Sequence, residues 1–337
     1  MARFLSRRSF LGGALVLAAG CAAGGLSACG GQDSTVKIGS MPTEDILPFW
    51  VAERDGLFSK HGVEAEIKLF DSAQSLSAAI TAGEVGVAMT DPMRTVKLVE
   101  SGTGLTMEWI SLGTDASQGR FGVLLAPGLE FSSLRDLTTV DSAAGVGLAA
   151  NTVPEYVFDK LCEQDGFDSA AVPSQEVPSL PDRYSLVASG QLSAAALPGS
   201  MLSLGEASGM KVLADDTKGE NISQSVIVAS HKLVKDEQIA GLRDAWDEAA
   251  DMVNAAPEDF RALLAEKANL NDSIKGSYPI STYPHANAES GSGSPDGKGG
   301  AYPPASLIGP QIEWMQKKGY GGERVVYNET DGSLSVA

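Results

Sequence analysis

Ala82-Gly83-Glu84-Val85-Gly86-Val87-Ala88 and Ser189-Gly190-Gln191-Leu192-Ser193-Ala194-Ala195 are one pattern written twice. In each, a small residue and a Gly end a helix, a polar residue follows, and an apolar run reads as a buried strand. Outward from the first copy, Val36-Lys37-Ile38-Gly39-Ser40 is a strand and Met41-Pro42-Thr43-Glu44-Asp45 a turn into a helix over about 46–54. Gly56 and Gly62 mark the exit. Val63, Ala65, Ile67 and Leu69 then alternate with Glu64, Glu66 and Lys68 as a half-buried strand, and a helix from about 73 ends at Gly83. Asp91-Pro92 opens the next helix, an N-cap with Pro at the first helical position.

Outward from the second copy the order repeats. Gly145-Val146-Gly147-Leu148-Ala149 is a strand, and Thr152-Val153-Pro154-Glu155 reads as a capping box opening a helix to about 163. Gly166-Phe167 ends that helix much as Gly56-Leu57-Phe58 ended the first. A further helix around 183–188 stops at Gly190. Two β-α-β-α-β units of nearly equal length predict an α/β fold with two similar doubly wound lobes. Phe121-Gly122-Val123-Leu124-Leu125 before the second unit, and Val212-Leu213-Ala214 and Ser225-Val226-Ile227-Val228-Ala229 after it, read as strands of a double crossover. The expected division is lobe I at 36–120 plus 224–337 and lobe II at 121–223. The remainder is mostly helical. Ile239, Leu242, Trp246, Ala249, Ala250 and Val253 share one helical face and Phe260, Leu263 and Leu264 another. A Gly/Ser-rich loop is expected at 289–300 and a last short helix at 312–318.

The N-terminus reads as an address. Arg3, Arg7 and Arg8 precede any acid, and an apolar, Gly-interrupted stretch follows over 11–28. Ser6-Arg7-Arg8-Ser9-Phe10-Leu11 resembles a twin-arginine export signal, with Gly12 where its usual Lys would stand. Leu26-Ser27-Ala28-Cys29 resembles a bacterial lipobox. Residues 1–28 are therefore expected to be a removed signal peptide, Cys29 the acylated first residue of the mature chain, and 29–35 a linker. Cys162 is then the one other thiol, so no disulfide framework is expected. The composition is 43% apolar, ordinary for a globular chain, and the formal charge of −18 disfavours nucleic acid.

The chain resembles the substrate-binding proteins of nitrate/sulfonate/taurine-type ABC importers and their thiamine-pyrimidine-precursor relatives. Leu47-Pro48-Phe49-Trp50-Val51-Ala52 and Asp55-Gly56-Leu57-Phe58-Ser59-Lys60-His61-Gly62-Val63 carry the resemblance. Ala79-Ile80-Thr81-Ala82-Gly83-Glu84-Val85, Thr90-Asp91, Leu134-Arg135-Asp136-Leu137, Asn151-Thr152-Val153 and Ser189-Gly190-Gln191-Leu192 continue it. The resemblance implies a periplasmic-binding-protein-like fold of type II and an extracytoplasmic receptor. The expected partners are a small-molecule ligand, an ABC permease and the membrane reached through Cys29, with the protein a monomer on the outer side of the cell membrane.

In open α/β sheets ligands sit beyond the carboxyl ends of the strands, where helix N-termini present free amides. Four turns hold that place and would face one another between two lobes. They provide the candidate ligand-binding residues Met41, Pro42, Thr43 and Asp45; Thr90, Asp91 and Pro92; Asn151, Thr152 and Val153; and Leu197, Pro198 and Gly199. Asp91 and Thr152 also suit helix caps. Trp50, Gln118 and Arg120 are further candidate contacts, although Trp50 lies inside a helix at a position suited to the core. Glu44 and Asp45 stand in the first turn and no Arg stands in any of the four. Planar anions usually recruit Arg, so the pattern leans toward a neutral, zwitterionic or cationic heterocycle.

Gly145-Val146-Gly147-Leu148-Ala149-Ala150 fits G-x-G-x-x-A, but an internal strand accounts for its glycines and no Gly-rich turn follows. Enzymes on this fold include a pyrimidine synthase and small lyases. Synthase-like chemistry would need a cysteine-rich motif and a reactive His, whereas His61, His231 and His285 all read as surface residues. With no G-x-S-x-G, H-E-x-x-H or paired-Cys spacing, no catalytic residue, metal or cofactor is expected.

Overall fold

The computed structural model describes residues 35–115, 118, 120–217, 223–287 and 302–337. The expected signal peptide, Cys29 with all but the last linker residue, and the loop at 289–300 lie outside them. The first unit runs β1 (Val36–Ser40), α1 (Leu47–Asp55), α2 (Leu57–Lys60), β2 (Ala65–Leu69), α3 (Ala73–Ala82) and β3 (Val87–Thr90), followed by α4 (Pro92–Glu100) and β4 (Thr106–Leu112). After β5 (Phe121–Leu125), the second unit runs β6 (Val146–Leu148), α5 (Val153–Gln164), β7 (Ser174–Glu176), α6 (Leu180–Ala188) and β8 (Ala194–Pro198). Then come α7 (Gly199–Ala207), β9 (Val212–Asp215), β10 (Ser225–Ala229), α8 (Asp236–Ala255), α9 (Arg261–Lys267), α10 (Ala305–Lys317) and the strands β11 (Val325–Tyr327) and β12 (Leu334–Val336).

Two five-stranded sheets result, ordered β2-β1-β3-β10-β4 and β7-β6-β8-β5-β9. The first three strands of each run parallel: Ile38 lies beside Ile67 and Val87, and Val146 beside Ser174 and Ala194. The fourth runs antiparallel in both, β10 against β3 and β5 against β8. Each fourth strand lies outside its sheet's repeat, because the chain crosses after β4 and returns after β9. These are the two doubly wound lobes read from the duplicated unit.

Gly39 and Gly147, inside the equivalent strands β1 and β6, have one physical cause. A Cβ on Gly39 would lie 2.7 Å from the Leu76 side chain, and one on Gly147 would lie 2.7 Å from that of Leu192. Gly145 is tighter still, 2.4 Å from the Pro173 carbonyl. The G-x-G at 145–147 thus serves close packing inside the sheet.

Beneath the first sheet, Trp246 of α8 meets Phe49 of α1 at 5.0 Å between ring centroids and Trp109 of β4 at 5.8 Å. Trp50 is 1% exposed within this core. Burying side chains of this size supplies roughly 1.5–3 kcal/mol each. A second cluster runs through both lobes by way of α10, where Trp314 packs edge-on against Tyr156 of α5 at 5.3 Å and Met315 lies with Met93 and Val96 of α4. Cys162 is fully buried, and burial pushes its thiol up to about 12, which leaves it inert.

Some local expectations are corrected. Thr152 does not complete a capping box: its hydroxyl donates to the Ala149 carbonyl at 2.7 Å, and Glu155 Oε2 accepts from the amide of Asn151 at 2.7 Å. With Asn151 at φ 53°, the turn folds back one residue earlier than the S/T-x-x-E pattern requires. The last helix begins at Ala305, seven residues before its expected start, because Pro310 sits on its open face without breaking it. Strand β7 and the β11–β12 pair carry too little alternation to have been read.

Candidate ligand-binding cleft

A cavity of about 80 Å³ lies where the carboxyl ends of the parallel strands of both sheets meet. One ordered water needs about 10–15 Å³ on this measure, so the space suits several waters or one small solute. Met41, Thr43 and Asp45 after β1, Thr90 ending β3 and Asp91 after it, Thr152 and Val153 after β6, and Pro198 ending β8 line it. Pro42 lines an adjoining space beside Met41 and Pro198. Pro92, Asn151, Leu197 and Gly199 are neighbours of lining residues and do not themselves line the cavity.

The three outlying candidates lie elsewhere. Trp50 is in the core. Gln118 Oε1 accepts from the Thr114 amide and hydroxyl and the Asp115 amide, which folds the crossover. Arg120 pairs with Glu206 at 3.0 Å and Asp215 at 3.5 Å on lobe II.

Several lining residues escaped the sequence reading. Ser72 and Ala73 follow β2, and Pro178 follows β7. The strand-end rule that selected the four turns applies equally to these two, so the signal was present. Phe121 and Ser225 are different. They are the first residues of β5 and β10, and antiparallel strands bring their beginnings to the ligand end; only strand direction reveals this. Arg183 lies mid-helix in α6, on the face shared with Leu180 and Val187, and the signal was an Arg on an apolar stripe.

The helix N-termini here are partly satisfied from within. Asp91 Oδ1 accepts from the Arg94 amide at 2.7 Å, and Ser72 Oγ from the Ser75 amide at 3.1 Å. At α5 and α7 the N-cap residues Thr152 and Pro198 make no side-chain cap hydrogen bond among the described residues. Arg183, the basic residue of the lining, is engaged: Nε donates to the Val177 carbonyl at 2.9 Å and Nη1 to that of Ala196 at 2.8 Å. Burial lowers it to about 10, so it remains charged at neutral pH.

The carboxyls lie on the lobe I side. Burial raises Glu44, Asp45 and Asp91, with Asp45 reaching about 7 through burial and the neighbouring Glu44. Thr43 Oγ1 donates to Asp45 at 2.9 Å, Tyr278 Oη donates to Glu44 Oε1, and Tyr283 Oη donates to the Glu44 carbonyl at 2.8 Å. Arg94 moderates Asp91, and its Nη2 reaches across to the Asn151 carbonyl at 3.1 Å.

Residues 30–196 match the model of the NMT1-like family. No curated protein matches the sequence. The fold is shared with the aliphatic sulphonate-binding protein SsuA of Escherichia coli, at TM-score 0.68 and 16% identity over 90% of this chain and 93% of that one. It is shared likewise with the alkanesulfonate-binding SsuA of Xanthomonas axonopodis pv. citri bound to MOPS, at 0.66 and 12% over 85% and 93%. The nitrate-binding NrtA of Synechocystis PCC 6803 matches at 0.56 and 12% over 74% and 69%. The family model covers just under half of the chain, the matches to solved structures show the shared fold, and both agree with the resemblance carried by residues 47–63 and with the duplicated lobes and the cavity between them.

Proposed function

We propose that this chain is an exported solute-binding lipoprotein that captures a small molecule between its lobes and delivers it to an ABC permease. The observation that carries the reading is the cavity itself, lined from both lobes at the strand ends where this architecture binds ligands. The lobe boundaries for this reading are 36–120 plus 224–337 and 121–223, and the candidate contacts are the lining residues above. A non-transport enzyme on this fold is the alternative. The cavity lining, which among the described residues contains no His, Cys or Lys, favours binding over that chemistry.

A solute touching both walls would favour approach of the lobes, since only contacts that differ between open and closed states shift their balance. The Trp314–Tyr156 packing joins α10 to α5 on lobe II and supports a pivot at that edge. At about one hundred times its dissociation constant a bound solute adds about 2.7 kcal/mol. The melting midpoint should then rise by several degrees and the radius of gyration in solution scattering should fall. A saturating solute that leaves the radius unchanged would overturn closure.

The membrane step rests on Leu26-Ser27-Ala28-Cys29. A Cys29→Ser protein is expected in the soluble fraction, since one acyl chain is marginal and two or more anchor firmly. Retention in the membrane pellet after a carbonate wash would show that Cys29 is not the anchor.

A further inference from the structure

Glu44 lines the cavity and is only 9% exposed; Tyr278 donates to its Oε1, its own backbone amide also acts on the carboxyl, and both donors are neutral. Asp45 is 7% exposed and is held by hydroxyls alone, from Thr43 and Ser225. No cation in the described residues acts on either group, whereas Asp91 has Arg94 beside it. The facing wall from lobe II is largely apolar, formed by Phe121, Val153, Pro178, Leu180 and Pro198, with Thr152 turned to the Ala149 carbonyl. Across it, Arg183 spends two of its nitrogens on backbone carbonyls.

A carboxylate in such a place is costly without a positive partner, and an ammonium group both neutralises it and supplies a charged donor that the neutral ones do not replace. A planar anion would meet two buried acids and an Arg already engaged. A metal ion needs more ligands than this pair: among the described residues no three His, Cys, Asp or Glu side chains stand together in a metal-binding group. We propose that the cleft selects a small solute bearing a protonated amine, seated against Glu44 and Asp45 with its apolar body on the lobe II wall. This names the solute class for the binding function proposed above and rests on that reading.

The test is a thermal-shift and calorimetry panel on the whole mature chain at pH 8, built from pairs that differ in the amine: benzylamine and benzyl alcohol, ethanolamine and ethylene glycol, taurine and isethionate, with methanesulfonate and nitrate as anions. At least one amine is expected to bind, its hydroxyl counterpart to bind at least tenfold more weakly, and Glu44→Gln and Asp45→Asn each to weaken the amine at least tenfold. The midpoint of each variant without ligand, equal to or above the parent's, checks that it folds. Equal binding of an amine and its hydroxyl counterpart, or of methanesulfonate or nitrate with the variants unchanged, overturns the proposal. If such an amine-free solute also reduces the radius of gyration, solute capture stands and only the amine assignment falls. If no panel member binds, native mass spectrometry of the chain from its exporting host decides: an amine-bearing bound solute supports the proposal, and an amine-free one overturns it. An empty chain overturns both readings.

Discussion

An Asp45→Asn protein is expected to be more stable than the parent at pH 8, to match it near pH 4, and to diverge from it steadily in between. Burial and the adjacent Glu44 raise the Asp45 carboxyl from 3.8 to about 7 in the folded state. Between those values the native chain holds a proton that the unfolded chain has released, so stability falls as pH rises. Below about pH 4 both states are protonated and nothing is lost; above about pH 7 the whole cost is present. A shift of this size corresponds to about 4 kcal/mol at most. Carboxyls held low by cationic partners, such as Asp55 by Arg54 and Glu248 by Lys60, have the opposite dependence, but they are common to both proteins and cancel in the difference. Urea unfolding from pH 4 to 8 measures that difference. A difference independent of pH would mean that Asp45 ionises freely in the native state. The implication for function is direct: the acid that destabilises the empty cleft is the one proposed to hold the solute.

Arg243→Ala is expected to cost about 3–5 kcal/mol, because it leaves the buried Glu108 carboxylate with the partly exposed His231 in place of a buried guanidinium. Arg243 on α8 is 7% exposed and Glu108 on β4 is 1% exposed. One guanidinium nitrogen reaches both the Glu108 carboxylate and its carbonyl at 2.7 Å, and the other donates to the Ala286 carbonyl. The guanidinium also lies over the rings of Trp109 and Tyr302 at 5.0 and 5.2 Å. It therefore ties β4, α8 and the segments on either side of residues 288–301 together. Replacing both partners, as Arg243→Met with Glu108→Leu, should recover much of the loss, since a matched apolar pair avoids the desolvation penalty. Chemical denaturation of the two single variants and the double variant measures this. A cost below 1 kcal/mol for Arg243→Ala would be the behaviour of an exposed pair and would contradict the burial described.

Much of the architecture was legible because it was written twice. Repetition of the helix stop at Gly83 and Gly190, each followed by an apolar strand, determined two doubly wound lobes. The isolated strands at 121–125 and 225–229 determined the double crossover. The strand-end rule then found eight lining residues, because parallel strands deliver their following turns to one edge whatever their side chains. The sequence by itself also showed Glu44 and Asp45 together in a turn without Arg. Tertiary structure decided what those facts mean. Strand direction brought Phe121 and Ser225 to the ligand end, and helix packing directed Arg183 to the carbonyls of Val177 and Ala196. Core packing removed Trp50 from the lining, hydrogen bonds of the crossover Gln118, and ion pairs on lobe II Arg120. Above all, the fold buried Glu44 and Asp45 with hydroxyl partners and, among the described residues, no cation, and burial in a medium less polarisable than water is what converts two ordinary surface acids into a site that calls for positive charge.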